Sequence, residues 1–379
     1  MASKLRSTFT APSCSSVFSN RRRSTLVGIA VIWILLALSI LLYTHPTDLS
    51  KHWQRVSDVV APSRALYDDS PLSLSDSTAM DRSVYNFTAS RPKWLAPLPR
   101  QRPEPLIIRL AIISHPREFE RRKAFRQYVL SDLPSHEIKI QYRFIMGYTD
   151  TADDRRVSQE RALHNDVLVL DMKESMDRMG EKRWRMLKWG AEVPGSTYDF
   201  YMSADTDAFL RLAALARRLR GYKSQPPLPG NPRETDILWG HMGVHALHLV
   251  PSLDESHPEL EDEQVDGGEW YSYPYGFGYL YSSHLVDRMT QQDVVLPHHI
   301  HYPADDVILG MWVADYAKGA TVVNDVEGFH DPTGHHSDET TTRPVSWDTV
   351  VAHHLQIGEM RGLRYVEEFA DEWDRPPAP

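Results

Sequence analysis

Cysteine is almost absent from this 379-residue chain, since Cys14 is the only one. A single thiol excludes any disulfide within the chain. The sequence also has no Cys/His spacing of the zinc type and no glycine-rich loop of the P-loop or dinucleotide-binding type. Its net charge of −9 argues against a nucleic-acid-binding surface. The hydrophobic content of 41% is ordinary for a globular protein, so the chain predicts one large or two small folded domains.

An uncharged apolar run covers residues 25–43 and is about as long as a bilayer core requires. Lys4, Arg6 and three arginines at 21–23 precede it, and this bias places residues 1–24 in the cytoplasm. A cleaved signal peptide is the alternative, but its apolar segment is usually shorter and closed by an Ala-x-Ala site. The pattern therefore predicts a transmembrane signal anchor and a single-pass type II protein.

The segment 44–105 is rich in serine, proline, aspartate and arginine and has no sustained periodicity. Such a composition buries little apolar surface and predicts a disordered stem rather than a domain. Asn86-Phe87-Thr88 is an N-glycosylation sequon, which the predicted topology would expose to the lumen. Residues 106–379 remain as the globular, lumenal part.

The globular part begins with a near-continuous aliphatic run, 106–113, which is typical of a strand covered on both faces. Alternating or apolar segments predict further strands, and the stretches between them predict helices. The predicted strands are 138–146, 166–170, 200–204 and 235–242, and the predicted helices are 117–130, 174–192, 208–219, 282–289 and 304–316. This alternation predicts an α/β fold with a mostly parallel sheet flanked by helices.

The predicted strand 200–204 ends in two carboxylates, Asp205-Thr206-Asp207. A strand that ends in paired acids brings hard oxygen ligands to the carboxyl edge of a sheet, where open α/β folds bind ligands. Mg²⁺ and Mn²⁺ prefer such oxygens and commonly complete their coordination with substrate phosphates. The alternative is a polar turn in which Asp207 caps the next helix. The offsets that an EF-hand requires are missing.

Several stretches occur in an order typical of one enzyme family: Arg121-Arg-Lys-Ala-Phe-Arg126, Phe144-Ile-Met-Gly147, Glu160 with Asp166, the segment ending in Lys182, Asp205-Thr-Asp207, Tyr273-Pro-Tyr-Gly-Phe-Gly-Tyr279 and Ala304-Asp-Asp-Val-Ile-Leu-Gly310. Together with the anchor and stem, they resemble the β-1,3-galactosyltransferases, Golgi type II enzymes that include core-1 synthase and the fringes. The resemblance covers roughly 106–360. The chain departs from the family in its lack of lumenal cysteines, its shortened Tyr-Pro turn and the loss of a tryptophan near Tyr128.

The resemblance implies a GT-A fold that transfers a hexose, expected to be galactose in β-1,3 linkage, from a UDP-sugar to a glycan or glycoprotein, with inversion. It implies Mn²⁺ or Mg²⁺ on Asp205 and Asp207, with a C-terminal histidine as the third ligand. His353 resembles that histidine in core-1 synthase. His330 is the rival, because fringe-like members have a Phe-His pair there.

The resemblance also assigns the general base to Asp306, with Asp305 as its neighbour. Adjacent carboxylates at the start of a helix are otherwise explained by the helix dipole. The nucleotide-binding cations expected from the resemblance are Arg121, Arg122, Arg126 and Lys182. The alternative for the arginines is a solvated basic helix face.

Four aromatic residues are candidates for a sugar-binding platform, although large aromatics are more often core residues: Trp270, Tyr273, Tyr275 and Tyr279. Two other functions remain open at this point. The same fold without activity would be a lumenal glycan-binding or scaffold protein, and a glycosidase with two carboxylates would need neither metal nor nucleotide. Transfer of another sugar such as GlcNAc is a further alternative, because UDP-sugars share one diphosphate group.

Overall fold

The structure is a computed structural model that describes residues 67–70, 72, 82–100, 104–222, 230–247, 269–291, 295–333 and 342–374, with only the backbone described for 82, 221–222, 245–247 and 269–270. The predicted cytoplasmic tail (1–24) and signal anchor (25–43) lie outside these residues. Among the described residues, none of the helices has the length and apolar character needed to cross a bilayer.

A seven-stranded sheet forms the centre of the described fold, in the order β3-β2-β1-β4-β7-β6-β8. Six strands run in one direction and β7 runs against both of its neighbours, so the predicted mostly parallel sheet is confirmed. The strands are β1 (Leu106–Ile113), β2 (Ile138–Tyr148), β3 (Val167–Lys173), β4 (Phe200–Asp205), β6 (Ile237–Leu247), β7 (Glu269–Ser282) and β8 (Thr321–Asn324). The aromatic segment that the resemblance treated as a turn is therefore a long antiparallel strand.

A second, three-stranded sheet has the order β5-β10-β9, with β5 at Phe209–Leu210, β9 at Phe329–His330 and β10 at Val351–Ala352. Strand β5 lies where the sequence predicted the start of a helix. The helix begins only at Leu212, because Phe209 and Leu210 pair with β10. The interpretation of Asp207 as a helix cap is consequently wrong.

Helices cover the large sheet; five of them lie where helices were predicted, with bounds that differ by up to five residues, whereas those at Ala152–His164 and Ile357–Arg364 were not predicted. The helices are α1 (Phe119–Ala124, continued by a π-helical turn at Phe125–Leu130), α2 (Ala152–His164), α3 (Met179–Gly190), α4 (Leu212–Tyr222), α5 (Ser283–Thr290), α6 (Asp305–Tyr316) and α7 (Ile357–Arg364). Short 3₁₀ turns lie at Arg82–Val84, Lys93–Leu95, Met176–Arg178, Gly195–Thr197 and Glu367–Glu372.

The alternation of side chains along β1 explains how one strand serves two cores. Ile108, Leu110 and Ile112 pack into one apolar cluster, together with residues of α1, α4 and α7. Ala111 lies in the other cluster, with residues of α3, α5 and α6. Because successive strand residues point to opposite faces, a continuous aliphatic run is what a strand between two helical layers requires.

Residues 82–100, predicted as part of the stem, contact the globular part. Leu95 is buried in it, the Tyr85 backbone bridges to Val345, and the Phe87 ring lies 5.0 Å from that of Trp347. The compact unit begins at Tyr67, so the boundary lies earlier than the predicted residue 106. A few well-placed aromatic and aliphatic side chains make this packing, and average composition does not reveal them.

Buried ion pairs fasten α4 to this N-terminal segment and to the sheet. Arg217 donates from Nε and Nη2 to the carboxylate of Glu137 at 2.8 and 2.9 Å, and from Nη1 to the carbonyl of Leu95 at 3.0 Å. Both charged side chains are essentially inaccessible to solvent. Their attraction therefore acts with little screening, but neither charge can be left alone.

We expect Glu137→Ala to lower the free energy of unfolding by about 3–5 kcal/mol, because it leaves the Arg217 charge buried without its partner. The control is Arg117→Ala, which breaks the ion pair between Arg117 and Asp153. Because the Arg117 side chain is 69% exposed, this change should lower the free energy of unfolding by at most about 1 kcal/mol. Urea unfolding of both variants measures the difference. Equal losses would contradict the assignment of Arg217–Glu137 as a structural pair.

Candidate active site

A cleft of about 640 Å³ opens at the carboxyl edge of β1 and β4. The register explains its place: Ile113, the last residue of β1, is opposite Asp205, the last residue of β4. Polar groups from several elements meet there, as at the edge of other open α/β sheets. The lining residues are Ile113, Ser114, His115, Glu118, Glu174, Met176, Met179, Lys182, Arg183, Asp205, Thr206, Asp207, Tyr275, Gly276, Phe277, Asp305, Asp306, His353 and His354.

Asp205, Asp207 and His353 come together in this cleft. The His353 Nε2 atom lies 3.5 Å from Asp205 Oδ2 and 3.2 Å from Asp207 Oδ1. Strand β10 brings the histidine there, because Ala352 pairs with Phe209, two residues after Asp207. The three side chains offer ligand atoms within 4.8 Å of one another, a spacing that can hold a metal ion.

An unpaired polar atom supports a cation at this place. Asp205 Oδ1 is buried and has no hydrogen-bond partner among the described residues. Burial lowers the pKa of His353, but hydrogen bonds and charges from the two aspartates outweigh it and raise this pKa to about 9. The metal-free site thus attracts a positive charge, and two carboxylates with one imidazole form a donor set that suits Mn²⁺.

His330, the rival ligand, lies elsewhere. Its side chain is buried and its Nε2 atom is 2.8 Å from Thr349 Oγ1. Burial lowers its pKa to about 4, which keeps the imidazole neutral. Its backbone carbonyl accepts a hydrogen bond from the N–H of His353, so His330 supports the segment that carries His353 without joining the cluster.

Glu118, which the sequence analysis did not select, fixes the loop that carries the aspartates. Its Oε2 atom accepts hydrogen bonds from the Thr206 hydroxyl at 2.9 Å, the Ser114 hydroxyl at 3.2 Å and the His115 N–H at 2.8 Å. Thr206 stands between the two aspartates. One carboxylate therefore connects the end of β1 to the segment that carries Asp205 and Asp207.

Lys182 lies in the cleft, as predicted, but it is buried. Its ammonium donates to the Ser114 carbonyl and to Glu174 Oε1, both at 2.8 Å. Glu174 in turn accepts from the Gly147 N–H at 2.6 Å. Burial lowers the pKa of Lys182, opposed mainly by the Glu174 carboxylate. The lysine joins the ends of β1 and β2 at the floor of the cleft.

The predicted nucleotide-binding arginines on α1 have other partners. Arg122 is fully buried and paired with Glu160, and Arg126 donates to both Glu160 and Asp166. Because both guanidiniums already pair with carboxylates, Arg122 and Arg126 have a structural role in place of the predicted contact with the nucleotide-sugar. Arg121 is half-buried and donates to the Leu355 carbonyl at 3.0 Å, two residues after His353 but outside the cleft lining.

Asp305 and Asp306 also line the cleft, at the start of α6. Asp306 Oδ2 accepts the Gly276 N–H at 2.8 Å, and its other oxygen is 3.4 Å from Arg183 Nη2. Asp305 accepts from Arg183 Nε at 2.7 Å. A side chain at position 276 would collide with both Asp306 and Arg183, so only glycine permits this close approach. The sequence analysis selected Asp306 but not the arginine.

Burial raises the pKa of Asp306 to about 6, and the opposing attraction of Arg183 is only partly effective because Asp305 adds repulsion. The Asp306 side chain nevertheless keeps 29% of its surface exposed in the cleft. A carboxylate with such a pKa is ionised at neutral pH and accepts a proton more readily than an ordinary aspartate.

The aromatic candidates divide into three groups. Tyr275 lines the cleft, and its ring stacks at 5.9 Å on Phe277, which stacks at 4.8 Å on His353. Tyr273 is half-buried and Tyr279 is buried, and neither lines the cleft. The Trp270 side chain is not among those described. Phe277 was missed, because in sequence it resembles any core residue of a strand.

The sequon asparagine lies apart from the cleft. Asn86 is exposed, and its Oδ1 atom accepts a hydrogen bond from the Thr88 hydroxyl at 2.7 Å. Its backbone N–H donates to the Val345 carbonyl at 2.7 Å. The side chain is thus accessible for modification on an anchored segment.

Comparison with known proteins places a sequence model described as galactosyltransferase on residues 120–320. Beta-1,3-galactosyltransferase 6 of Mus musculus is 26% identical over 58% of this chain and 62% of its own length. N-acetyllactosaminide beta-1,3-N-acetylglucosaminyltransferase 2 of Homo sapiens is 24% identical over 53% of this chain and 49% of its own length. The chain thus matches about half to three-fifths of these relatives.

Among solved structures, the galactosyltransferase LgtC in complex with donor and acceptor sugar analogs is 15% identical over 71% of this chain and 97% of its own. The TM-score is 0.34, which is too low to transfer any feature of that protein to this one.

We expect His353→Ala to weaken Mn²⁺ binding at least ~10-fold, because loss of a direct ligand should cost no less than loss of a supporting residue. The matched control is His354→Gln at the next position, whose Nδ1 lies 2.8 Å from Asp331. Calorimetric titration of the purified proteins with MnCl₂ measures both. Similar Mn²⁺ affinities for His353→Ala and the unmodified protein would contradict the assignment.

The Mn²⁺ affinity of the unmodified protein should also rise with pH up to about 9. The imidazole of His353 carries a proton below that value in the metal-free protein, and a ligand must lose its proton before it binds. Titrations at pH 6, 7 and 8 should show tighter binding at each step together with proton release. A pH-independent affinity would indicate that His353 does not bind the ion.

Proposed function

Because the chain belongs to the galactosyltransferase family, we propose that it transfers a hexose from a UDP-sugar to a hydroxyl of a glycan or glycoprotein, with inversion, on a GT-A-type fold. The observation that carries this proposal is the arrangement of the cleft. Asp205, Asp207 and His353 line the cleft together with Asp306, whose carboxylate has a raised pKa. A metal-bound diphosphate and an acceptor base are the two groups that such a transfer needs in one site.

Asp205, Asp207 and His353 would hold Mn²⁺ or Mg²⁺, which as a Lewis acid neutralises the leaving diphosphate. The protein's own part is to keep these ligands in place. Glu118 fixes Thr206 between the aspartates, and the hydrogen bonds of β10 fix the histidine. Ligands held in advance do not have to be reorganised when the donor binds.

Asp306 would take the proton of the acceptor hydroxyl as that oxygen attacks the anomeric carbon. The carboxylate is ionised above about pH 6, partly exposed, and oriented by the Gly276 N–H. The acceptor sugar would lie against Tyr275 and Phe277, whose stacked rings line the same cleft. General-base catalysis of this kind typically contributes ~10²–10⁴ in rate.

Galactose in β-1,3 linkage is our first choice of transferred sugar, in agreement with the galactosyltransferase family and with the name of the mouse relative. The human relative is named as a GlcNAc-transferase, so UDP-GlcNAc is the second donor to test. We further propose that the protein is a single-pass type II protein of the Golgi membrane, with residues 25–43 as anchor and the cleft in the lumen.

We expect Asp306→Asn to fold normally and to lower kcat by ~10²–10⁴, because the amide cannot accept the proton. Radiolabel transfer from UDP-galactose and UDP-GlcNAc, with Mn²⁺ and with EDTA, measures the activity. A Mn²⁺-dependent wild type with an inert variant supports the proposal. A protein that neither transfers nor hydrolyses any UDP-sugar would instead be a glycan-binding scaffold, and activity in EDTA without nucleotide would indicate a glycosidase.

Asn86→Gln should remove a glycosidase-sensitive increase in apparent mass, because Asn86 is exposed and the proposed topology places it in the lumen. Electrophoresis of the protein from secretory-pathway cells, with and without peptide N-glycosidase, provides the measurement. A wild-type protein that the glycosidase does not change would contradict the use of this sequon.

A further inference from the structure

Arg183 differs from the other buried arginines that the structure describes, because both of its carboxylate partners line the cleft. In the pairs Arg122–Glu160 and Arg217–Glu137, both side chains are at most 1% exposed and neither lines the cleft. Arg183 is 6% exposed, whereas its partners Asp305 and Asp306 are 25% and 29% exposed and line the cleft. A buried cation therefore supports two carboxylates that substrate can reach.

The Arg183 guanidinium lies at different distances from these two carboxylates. Its Nε lies 2.7 Å from Asp305 Oδ2, whereas its Nη2 lies 3.4 Å from Asp306 Oδ1. The Nη1 atom donates to the Gly276 carbonyl at 3.2 Å and is 3.4 Å from the Ser203 hydroxyl. Asp305 thus accepts the short, charge-assisted hydrogen bond, whereas Asp306 makes only the longer contact with Nη2.

We propose that Arg183 is the positioning residue of the acceptor base, Asp306, and that Asp305 is the counter-ion of Arg183. Asp305 accepts the short hydrogen bond from the guanidinium. The weaker contact with Arg183 orients the Asp306 carboxylate but leaves it able to accept a proton. This inference rests on the proposed transferase function. It gives the pair of adjacent carboxylates two different roles, which neither their sequence nor their exposure distinguishes.

The largest electrostatic influences on the pKa of Asp306 come from groups on α3, α6, β4 and β7. Arg183 on α3 attracts its ionised form, while Asp305 on α6 and Asp205 at the end of β4 repel it. From β7 come the Gly276 N–H, which stabilises the charge, and Tyr279, whose pKa burial raises to about 12, so that it stays neutral. Arg183 is the only cation in this set, so changing it or its counter-ion should change the basicity of Asp306 in opposite directions.

Two variants test the proposal with kcat and the pH profile of kcat/KM, measured at saturating Mn²⁺. Arg183→Gln removes the attraction between the guanidinium and the ionised Asp306 carboxylate. The acidic limb of the kcat/KM profile, where Asp306 becomes protonated, should therefore move to higher pH by at least about one unit. The loss of orientation should lower kcat roughly 10- to 100-fold, while the donor KM changes little. Asp305→Asn removes the repulsion and releases Arg183 to Asp306, so the limb should move down.

The matched control is Arg185→Gln, two residues along α3, which breaks a pair with Glu181 away from the cleft and should leave kcat and the limb unchanged. Arg183→Lys retains the charge without the planar fork and should recover part of the kcat. If Arg183→Gln fails to fold in a thermal melt, Asp305→Asn and Arg183→Lys decide the question.

The proposal is overturned if the active wild type keeps its acidic limb in both Arg183→Gln and Asp305→Asn, or if the limb moves in the same direction in both. A purely structural role for Arg183 would reduce the amount of folded enzyme and leave the limb where it is. Failure of the proposed function itself would look different, because the wild type would then show no transfer at all.

Discussion

The architecture of this protein depends on keeping two aspartates side by side in a partly buried cleft. Asp205 and Asp207 repel each other, and burial by itself would disfavour their charges. His353 offsets that cost in the metal-free protein, because its imidazole lies within 3.5 Å of both carboxylates and carries a proton up to about pH 9. The hydrogen bonds of His353 are one factor that lowers the pKa of Asp207 against its burial. A divalent ion would take over this role with a larger charge.

This requirement explains why the C-terminal part of the chain crosses the cleft. His353 reaches the aspartates only because β10 lies between β5 and β9, in a small sheet that begins two residues after Asp207. Buried ion pairs on α4 and at the residue before it then hold the flanking segments, including the pair between Arg211 and Glu372. The proposed metal site and the packing of the C-terminal segment therefore depend on the same small sheet. We expect a change that disrupts this sheet to weaken both.

Much of this could be predicted from local sequence, and the remainder depends on long-range pairing. The aliphatic run of β1 and the acids at the end of β4 identify the sheet edge, because strand burial and side-chain type are local properties. The choice between His353 and His330 depends on strand pairing and burial. Arg126 looks like a ligand in sequence because its carboxylate partners, Glu160 and Asp166, lie 34 and 40 residues away. The contacts of Arg183 with Asp305 and Asp306 could not be predicted for the same reason, because these partners lie more than 120 residues away in sequence.

The most direct test of the account is the dependence of nucleotide binding on the divalent ion. Calorimetric titration of UDP into the purified protein, first in EDTA and then with saturating Mn²⁺, measures whether Asp205 and Asp207 hold an ion that contacts the diphosphate. The account predicts that UDP binds at least ~10-fold more tightly with Mn²⁺, and that Asp205→Asn with Asp207→Asn removes this difference. Equal UDP affinity with and without Mn²⁺ in the wild type would contradict it.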